Sequence, residues 1–289
     1  NGGKVDLRLL DTMTERTRVV VSDAADEVDL GSLTAVVRSS FVASGTGRID
    51  LPSLDTITGA GFEANGSGVI DASGATTYLG VSGESQLIRA DGASAVVNLS
   101  GITDFQGTIR SGSGSEITTI EARNGGQVNL NSATRLRDEV NVIVNGANDD
   151  VLLNALTTSS LTTFTATGAG ARINLPAIAT LTATAFTAAN GGVIDASNAN
   201  TYAGVENRDR LIEAQGTGSL VDLSGVTTFS GSIRTAGPVF TMLTAADGGV
   251  VDLTGATSIN AETIFDIELN GTVNLNSSGT ANLTGVTVN

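Results

Sequence analysis

The chain has 289 residues, a formal net charge of −15, and no cysteine, histidine or tryptophan. Without cysteine and histidine it can form no disulfide, no thiolate or imidazole metal site and no Ser-His-Asp machinery. Its acidity disfavours nucleic acid and anionic membrane surfaces as partners, and no apolar run approaches the roughly 20 residues that span a bilayer. The apolar fraction of 40% is enough to fill a core.

An internal repeat organises the chain from end to end. An apolar-polar-apolar triplet, first seen as Val5-Asp6-Leu7, recurs through the sequence. Its twelve starting positions are Val5, Val28, Ile49, Ile70, Val97, Val128, Val151, Ile173, Ile194, Val221, Val251 and Val273. The steps run 23, 21, 21, 27, 31, then 23, 22, 21, 27, 30, and a third cycle opens with 22. The pattern therefore predicts coils of 21–31 residues in a five-coil super-repeat of about 123 residues, with blocks 1–123, 124–246 and 247–289, the last one partial.

The fold class follows from the pattern inside each coil. Apolar and polar residues alternate over three to five positions, and Asn-Gly and Asp-Gly pairs such as Asn65-Gly66 and Asp247-Gly248 mark tight corners. No segment shows a sustained helical period. A coil of this length cannot bury its own apolar face, but stacked coils bury a continuous core. We predict an all-β, right-handed parallel β-helix (β-solenoid) that is continuous over residues 1–289.

The short strands, the Asn-Gly corners, the abundance of Thr, Ala, Ser and Asn and the missing cysteine resemble a known class. They are similar to the β-solenoid stalk or passenger regions of large secreted bacterial surface proteins, such as filamentous-haemagglutinin-type adhesins and autotransporters. The resemblance covers the whole chain and is compositional and periodic, so it carries over no functional residue. It implies an extracellular or cell-surface protein with a structural or adhesive role.

A column of Asp and Asn residues fills the middle position of the triplets. If the flanking apolar side chains point inward, these polar side chains point outward. The column consists of Asp6, Asp29, Asp50, Asp71, Asn98, Asn129, Asn174, Asp195, Asp222, Asp252 and Asn274, with Leu152 as the one break. Asp29, Asp50 and Asp71 fall on consecutive coils, where a bound Ca²⁺ would relieve their repulsion. The column is thus a candidate weak calcium site or an ordinary solvated acidic face.

An acidic corner gives a second candidate calcium site. Asp23, Asp26 and Glu27 lie at a corner before a strand, and Asp149 and Asp150 lie at the corresponding corner of the next block. Carboxylates at a corner suit Ca²⁺, but an ordinary polar corner is the alternative. Apart from Ca²⁺, the sequence indicates no cofactor.

Enzymatic function is disfavoured because the acids repeat with the coil. A catalytic carboxylate pair should break the repeat, whereas Asp71 and Asp195 occupy equivalent positions in the two blocks, as do Arg110 and Arg234. We therefore predict no catalytic residue. A polysaccharide-binding or polysaccharide-cleaving β-helix is the alternative, and ice binding by the outward threonines is a less favoured one. The longer corners at 82–91 and 206–215 project from the coils, where binding groups are often found.

The partner prediction is self-association. The chain begins without Met and neither end shows an obvious polar cap, and an uncapped solenoid edge invites strand addition. We expect the coils to continue into further chain or to stack end to end with another copy. A polysaccharide or another cell-surface molecule is the remaining candidate ligand.

Overall fold

A computed structural model describes residues 2–110, 115–235, 237–276, 282–283 and 286–288. These residues form short β-strands joined by turns, and none of them lies in a helix. The chain divides into two compact units, residues 1–154 and 155–289.

The strands of the first unit, in chain order, are β1 (Lys4–Asp6), β2 (Thr12–Met13), β3 (Arg18–Val21), β4 (Glu27–Asp29), β5 (Ala35–Val37), β6 (Ser40–Ala43), β7 (Arg48–Asp50), β8 (Thr56–Thr58), β9 (Gly61–Asn65), β10 (Val69–Asp71), β11 (Thr77–Leu79), β12 (Gln86–Asp91), β13 (Val96–Asn98), β14 (Asp104–Gln106), β15 (Thr118–Arg123), β16 (Gln127–Asn129), β17 (Arg135–Val144) and β18 (Asp150–Leu152).

The strands of the second unit are β19 (Thr158–Thr167), β20 (Arg172–Asn174), β21 (Thr180–Thr182), β22 (Ala185–Ala189), β23 (Val193–Asp195), β24 (Thr201–Ala203), β25 (Arg210–Gln215), β26 (Leu220–Asp222), β27 (Thr228–Ser230), β28 (Thr241–Ala246), β29 (Val250–Leu253), β30 (Ser258–Asn260), β31 (Thr263–Ile267), β32 (Thr272–Leu275), β33 (Asn282–Leu283) and β34 (Val286–Val288).

Each coil of the first unit contributes to three stacks of parallel strands. One stack runs β2-β5-β8-β11-β14-β17. The second runs β3-β6-β9-β12-β15-β17, so the long strand β17 belongs to both. The third runs β7-β10-β13-β16-β18, with β1 and β4 as a separate pair. Every strand therefore pairs with its counterpart one coil away, which is the arrangement of a parallel solenoid.

The second unit repeats this arrangement. Its stacks run β19-β21-β24-β27-β30-β33, β19-β22-β25-β28-β31-β34 and β20-β23-β26-β29-β32, and all of these pairings are parallel. The predicted triplet register is confirmed: Ile70 pairs with Ile49 on one side and with Val97 on the other.

The core consists of inward columns that continue from coil to coil. Aromatic rings stack within them: Tyr78 lies on Phe105 with ring centroids 4.3 Å apart, and Tyr202 lies on Phe229 at 4.4 Å. Each tyrosine is buried and donates its hydroxyl to a backbone carbonyl at 2.8 Å, that of Ala60 for Tyr78. Burial raises the pKa of both phenols above their usual range. The duplicated blocks therefore share the same stacked aromatic pair, with the same tyrosine hydrogen bond, in their cores.

A glycine before the triplet allows close packing of neighbouring coils. A Cβ on Gly68 would lie 2.3 Å from the carbonyl oxygen of Ala43, and one on Gly192 would lie 2.1 Å from that of Ala166. Contacts this short exclude any side chain at these two positions.

These observations confirm the predicted fold class, an all-β parallel solenoid of about twelve turns. The boundary at 154/155 does not coincide with the super-repeat boundary at 123/124. A single uninterrupted solenoid over residues 1–289 stays a prediction.

Candidate functional site

The Asp/Asn column lies on the outer side of the triplet strands, and most of its members are in register from coil to coil. In the first unit Asp50 pairs with Asp71 and Asp71 with Asn98. In the second unit the series is Asn174, Asp195, Asp222, Asp252 and Asn274. Their neighbours are buried in most triplets, as Ile70 and Ile194 illustrate, whereas Val5 in the first triplet is exposed. The sequence pattern therefore placed this column correctly.

The side-chain oxygens of the column cap the turn that follows each triplet. In most coils the Oδ1 atom accepts a hydrogen bond from the backbone amide two residues further on, which forms an Asx turn. The donor amides and distances are Arg8 at 3.2 Å, Gly31 at 3.0 Å, Ser73 at 3.1 Å, Ser100 at 3.3 Å, Asn131 at 3.1 Å, Ser197 at 3.2 Å, Ser224 at 3.0 Å and Thr254 at 2.9 Å. Because Asp and Asn share this acceptor oxygen, either residue serves. Sequence reasoning missed this role, although an Asp or Asn followed two positions later by a small or polar residue is its signal.

Arginine relieves part of the repulsion within the column. Arg48 contacts Asp50 at 2.7 Å and Asp71 at 3.6 Å. Its counterpart in the second unit, Arg172, contacts Asp195 at 2.9 Å. Partial burial raises the pKa of Asp195, but the hydrogen bonds from Ser197 and the charge of Arg172 outweigh it, so that its pKa lies below the usual range. A guanidinium group thus occupies the place where a cation was expected beside Asp50 and Asp71.

The third member of that candidate calcium site, Asp29, lies in a different sheet. It belongs to the β1–β4 pair, whereas Asp50 and Asp71 belong to the five-stranded stack. Its Oδ1 atom caps the turn at Gly31.

The acidic corner is also engaged by the protein's own donors. Asp26 accepts the amides of Gly3 at 2.9 Å and Ser22 at 3.2 Å, and these backbone hydrogen bonds lower its pKa. Asp23 accepts the Ala25 amide, and Glu27 pairs with Lys4 at 2.6 Å.

The second-block corner resembles the first in its use of backbone amides. Asp149 is buried and accepts the Gly125 amide at 2.5 Å, while burial raises the pKa of Asp150. Over the described residues, no three acidic side chains converge in a group that could hold a metal ion. Calcium binding stays a prediction, which thermal unfolding with and without a chelator tests; an unchanged midpoint would contradict it.

A polar groove of about 300 Å³ in the first unit is a site that sequence reasoning did not find. Arg16 and Arg38 stand at the same corner of neighbouring coils, and both face one oxygen of Glu84, at 3.3 and 3.5 Å. Glu84 lies in the turn before β12, and its backbone carbonyl accepts the hydroxyl of buried Thr108 at 2.9 Å. The projecting corners predicted at 82–91 and 206–215 were too long, because β12 and β25 occupy Gln86–Asp91 and Arg210–Gln215. The groove, which we call the arginine groove, is also lined by Ser40, Gly59, Gly61, Glu63, Ser85, Gln86 and Leu87.

The arginine groove breaks the super-repeat. The second-block residues that correspond to Arg16, Arg38 and Glu84 are Glu139, Leu161 and Arg208. One guanidinium is replaced by a carboxylate, the other by an apolar side chain, and the facing acid by a base. Other charged residues, such as Asp71 and Asp195, repeat from block to block, whereas the charges of this groove do not repeat.

Comparison with known proteins adds little. No protein-family model matches the chain, and no curated protein matches it either. A solved structure with some likeness is the crystal structure of the TibC-catalyzed hyper-glycosylated TibA55-350 fragment, at 17% sequence identity and a TM-score of 0.25 over 100% of this chain and 97% of that one. A likeness of this size says nothing about what this chain does. The class that the coordinates define is the parallel β-solenoid.

The part of the chain that the structure describes contains no helix that is long and apolar enough to cross a membrane.

Proposed function

We propose that this protein is a structural or adhesive extracellular β-solenoid: a stalk, a filament subunit or a segment of a surface layer. The observation that carries the proposal is the repeated use of polar groups for the scaffold itself. The outward Asp/Asn column caps turns and pairs with arginine. Side chains that look like candidate ligands in the sequence therefore serve to hold one coil after another in the same conformation.

The solenoid also favours self-association. Parallel coils present unpaired backbone groups only at the two ends of a stack, where another coil can add. We propose that coils of further chain, or of a second copy, continue the stack end to end. The cell surface is the location that fits such a role.

No catalytic residue is assigned in this proposal. The rival reading, a polysaccharide-cleaving β-helix, requires two carboxylates at a fixed separation, one of them able to act as an acid. Depolymerisation of acidic polysaccharides, measured with and without Ca²⁺, separates the two functions. Cleavage by the purified chain would overturn the structural assignment. Crystal shaping and thermal hysteresis would favour ice binding in the same way.

The structural role is tested by the state of the purified protein. Analytical ultracentrifugation over a range of concentrations should show assemblies that grow with concentration. A chain that stays a monomer at every concentration and salt level, with no assembly in electron micrographs, would contradict end-to-end association.

A further inference from the structure

We propose that the arginine groove binds the carboxylate of an acidic oligosaccharide, with Arg16 and Arg38 as its anion-binding residues. This inference concerns one site in the first unit and does not depend on the structural role proposed above. It rests on unused hydrogen-bonding capacity and on the contrast between the two sequence blocks.

The two guanidinium groups are only loosely occupied. The closest arginine contacts elsewhere in the first unit are shorter, such as Arg89–Glu63 at 2.7 Å and Arg123–Asp91 at 2.9 Å, as expected for charge-assisted hydrogen bonds. Arg16 and Arg38 share a single oxygen of Glu84 at 3.3 and 3.5 Å. Each guanidinium has five N–H donors in a fork that suits a carboxylate, so most of this capacity is available to a ligand.

The charge balance of the groove also favours an anion. The Glu63 carboxylate faces Arg89, and Glu84 faces both corner arginines, so these three arginines and two glutamates carry one positive charge in excess. The net charge of the whole chain is −15, but charges beyond roughly 8 Å are largely screened at physiological ionic strength. The nearby guanidinium groups therefore dominate the local potential.

The corner of the coil fixes the backbone of both arginines. Arg16 and Arg38 have φ angles of 60° and 49°, in the left-handed region. The same corner is left-handed at Gly59 in the next coil, with φ of 57°, and at Leu161 and Ala183 in the second unit. The conformation therefore belongs to the fold, and it costs a residue with a Cβ roughly 1–2 kcal/mol. Glycine would satisfy the corner at Arg38 as well.

Two glycines allow close packing beside the groove. A Cβ at Gly59 would lie 2.3 Å from a methyl group of Val81, and one at Gly61 would lie 3.1 Å from the carbonyl oxygen of Leu87. Neighbouring atoms of the chain therefore occupy the space next to both glycines.

The lining defines the chemical class of the ligand. An isolated small anion would use the arginines alone, whereas Ser40, Ser85 and Gln86 add hydroxyl and amide groups along the same groove. Such groups hydrogen-bond to the hydroxyls that flank the carboxylate of a uronic acid. A chain of uronic acid residues therefore fits this site better than a neutral sugar or a free anion.

The test is isothermal titration calorimetry of the full chain, at physiological ionic strength, with three probes: a hexamer of galacturonic acid, its fully methyl-esterified form and sodium acetate. We expect the acidic hexamer to bind, and Arg38→Leu or Arg16→Ala to weaken binding roughly tenfold to a hundredfold, the effect of losing charged hydrogen bonds. Arg135→Leu, which removes an exposed arginine outside the groove, is the matched control and should leave binding unchanged.

Arg38→Gly separates binding from folding. Glycine relieves the left-handed strain, so this variant should lose binding while its melting temperature stays the same or rises. Retained affinity in both Arg38 variants, or equal binding of the methyl ester, would overturn the proposal. Acetate binding as tightly as the hexamer would overturn the assignment to an oligosaccharide.

Discussion

Replacing Asp222 with asparagine removes one charge from the Asp/Asn column but keeps the oxygen that caps the turn at Ser224. Asp222 stands in register between Asp195 and Asp252. Two carboxylates about 4.8 Å apart repel by roughly 0.9 kcal/mol in water, and by about half of that at physiological salt. Because Arg172 already neutralises Asp195, Asp252 supplies most of this repulsion. We expect Asp222→Asn to stabilise the protein by about 0.5–1 kcal/mol, which corresponds to roughly 1–3 °C in Tm.

Asp222→Ala separates the charge from the cap. It relieves the same repulsion but removes the hydrogen bond to the turn, which contributes about 1 kcal/mol. The alanine variant should therefore be about 1 kcal/mol less stable than the asparagine variant. Thermal unfolding followed by circular dichroism at low and at high NaCl measures both differences. The gain from asparagine should shrink with salt, while the gap between asparagine and alanine should not. An asparagine variant less stable than the parent, or an alanine variant as stable as the asparagine variant, would refute the reasoning.

Three further outcomes test the core, the corners and the acid response. Tyr78→Phe removes a buried hydroxyl from its carbonyl partner and should cost about 1–2 kcal/mol in unfolding free energy. Tyr202→Phe should cost the same because its hydrogen bond is equally short. Unchanged stability in both variants would show that these hydrogen bonds are dispensable. Gly68→Ala places a methyl group 2.3 Å from the backbone oxygen of Ala43 and should prevent a stable fold. Gly66→Ala, at a position with φ of 70° and no atom closer than 3.6 Å, should cost only about 1–2 kcal/mol. Equal effects of the two substitutions on stability would contradict the close packing of the coils. The folded-state pKa of Asp195 lies below its ordinary value of 3.8, so its contribution to stability is present above that pH and is lost as the pH falls through the folded pKa. When Tm is measured as a function of pH, the Asp195→Asn variant should therefore show a smaller decrease in Tm below about pH 4 than the parent protein.

The coil pattern could be read from the sequence because the solenoid is governed by local periodicity. A triplet that begins at Ile70 must pair with those at Ile49 and Val97 if the coils stack in register, and it does. The outward direction of Asp71 follows from the same alternation. What the alternation does not contain is the use of that side chain, since an exposed carboxylate can cap a turn, pair with arginine or bind a cation.

The arginine groove was not predictable in the same way. Arg16, Arg38 and Glu84 come from three different coils, and the turn before β12 brings Glu84 next to the two arginines. The left-handed conformation at Arg38 also has no signal in the residue type. A comparison of the sequence blocks, position by position, would have shown that Leu161 and Arg208 replace Arg38 and Glu84, and that contrast is the signal to seek in duplicated solenoids.

Electron microscopy of the native material tests the proposed structural role most directly. We expect filaments or surface appendages whose averaged images show a repeat of about 4.8 Å along the axis, the spacing of stacked parallel strands. Well-separated compact particles without that repeat, at concentrations where the protein is abundant on its source cells, would contradict it.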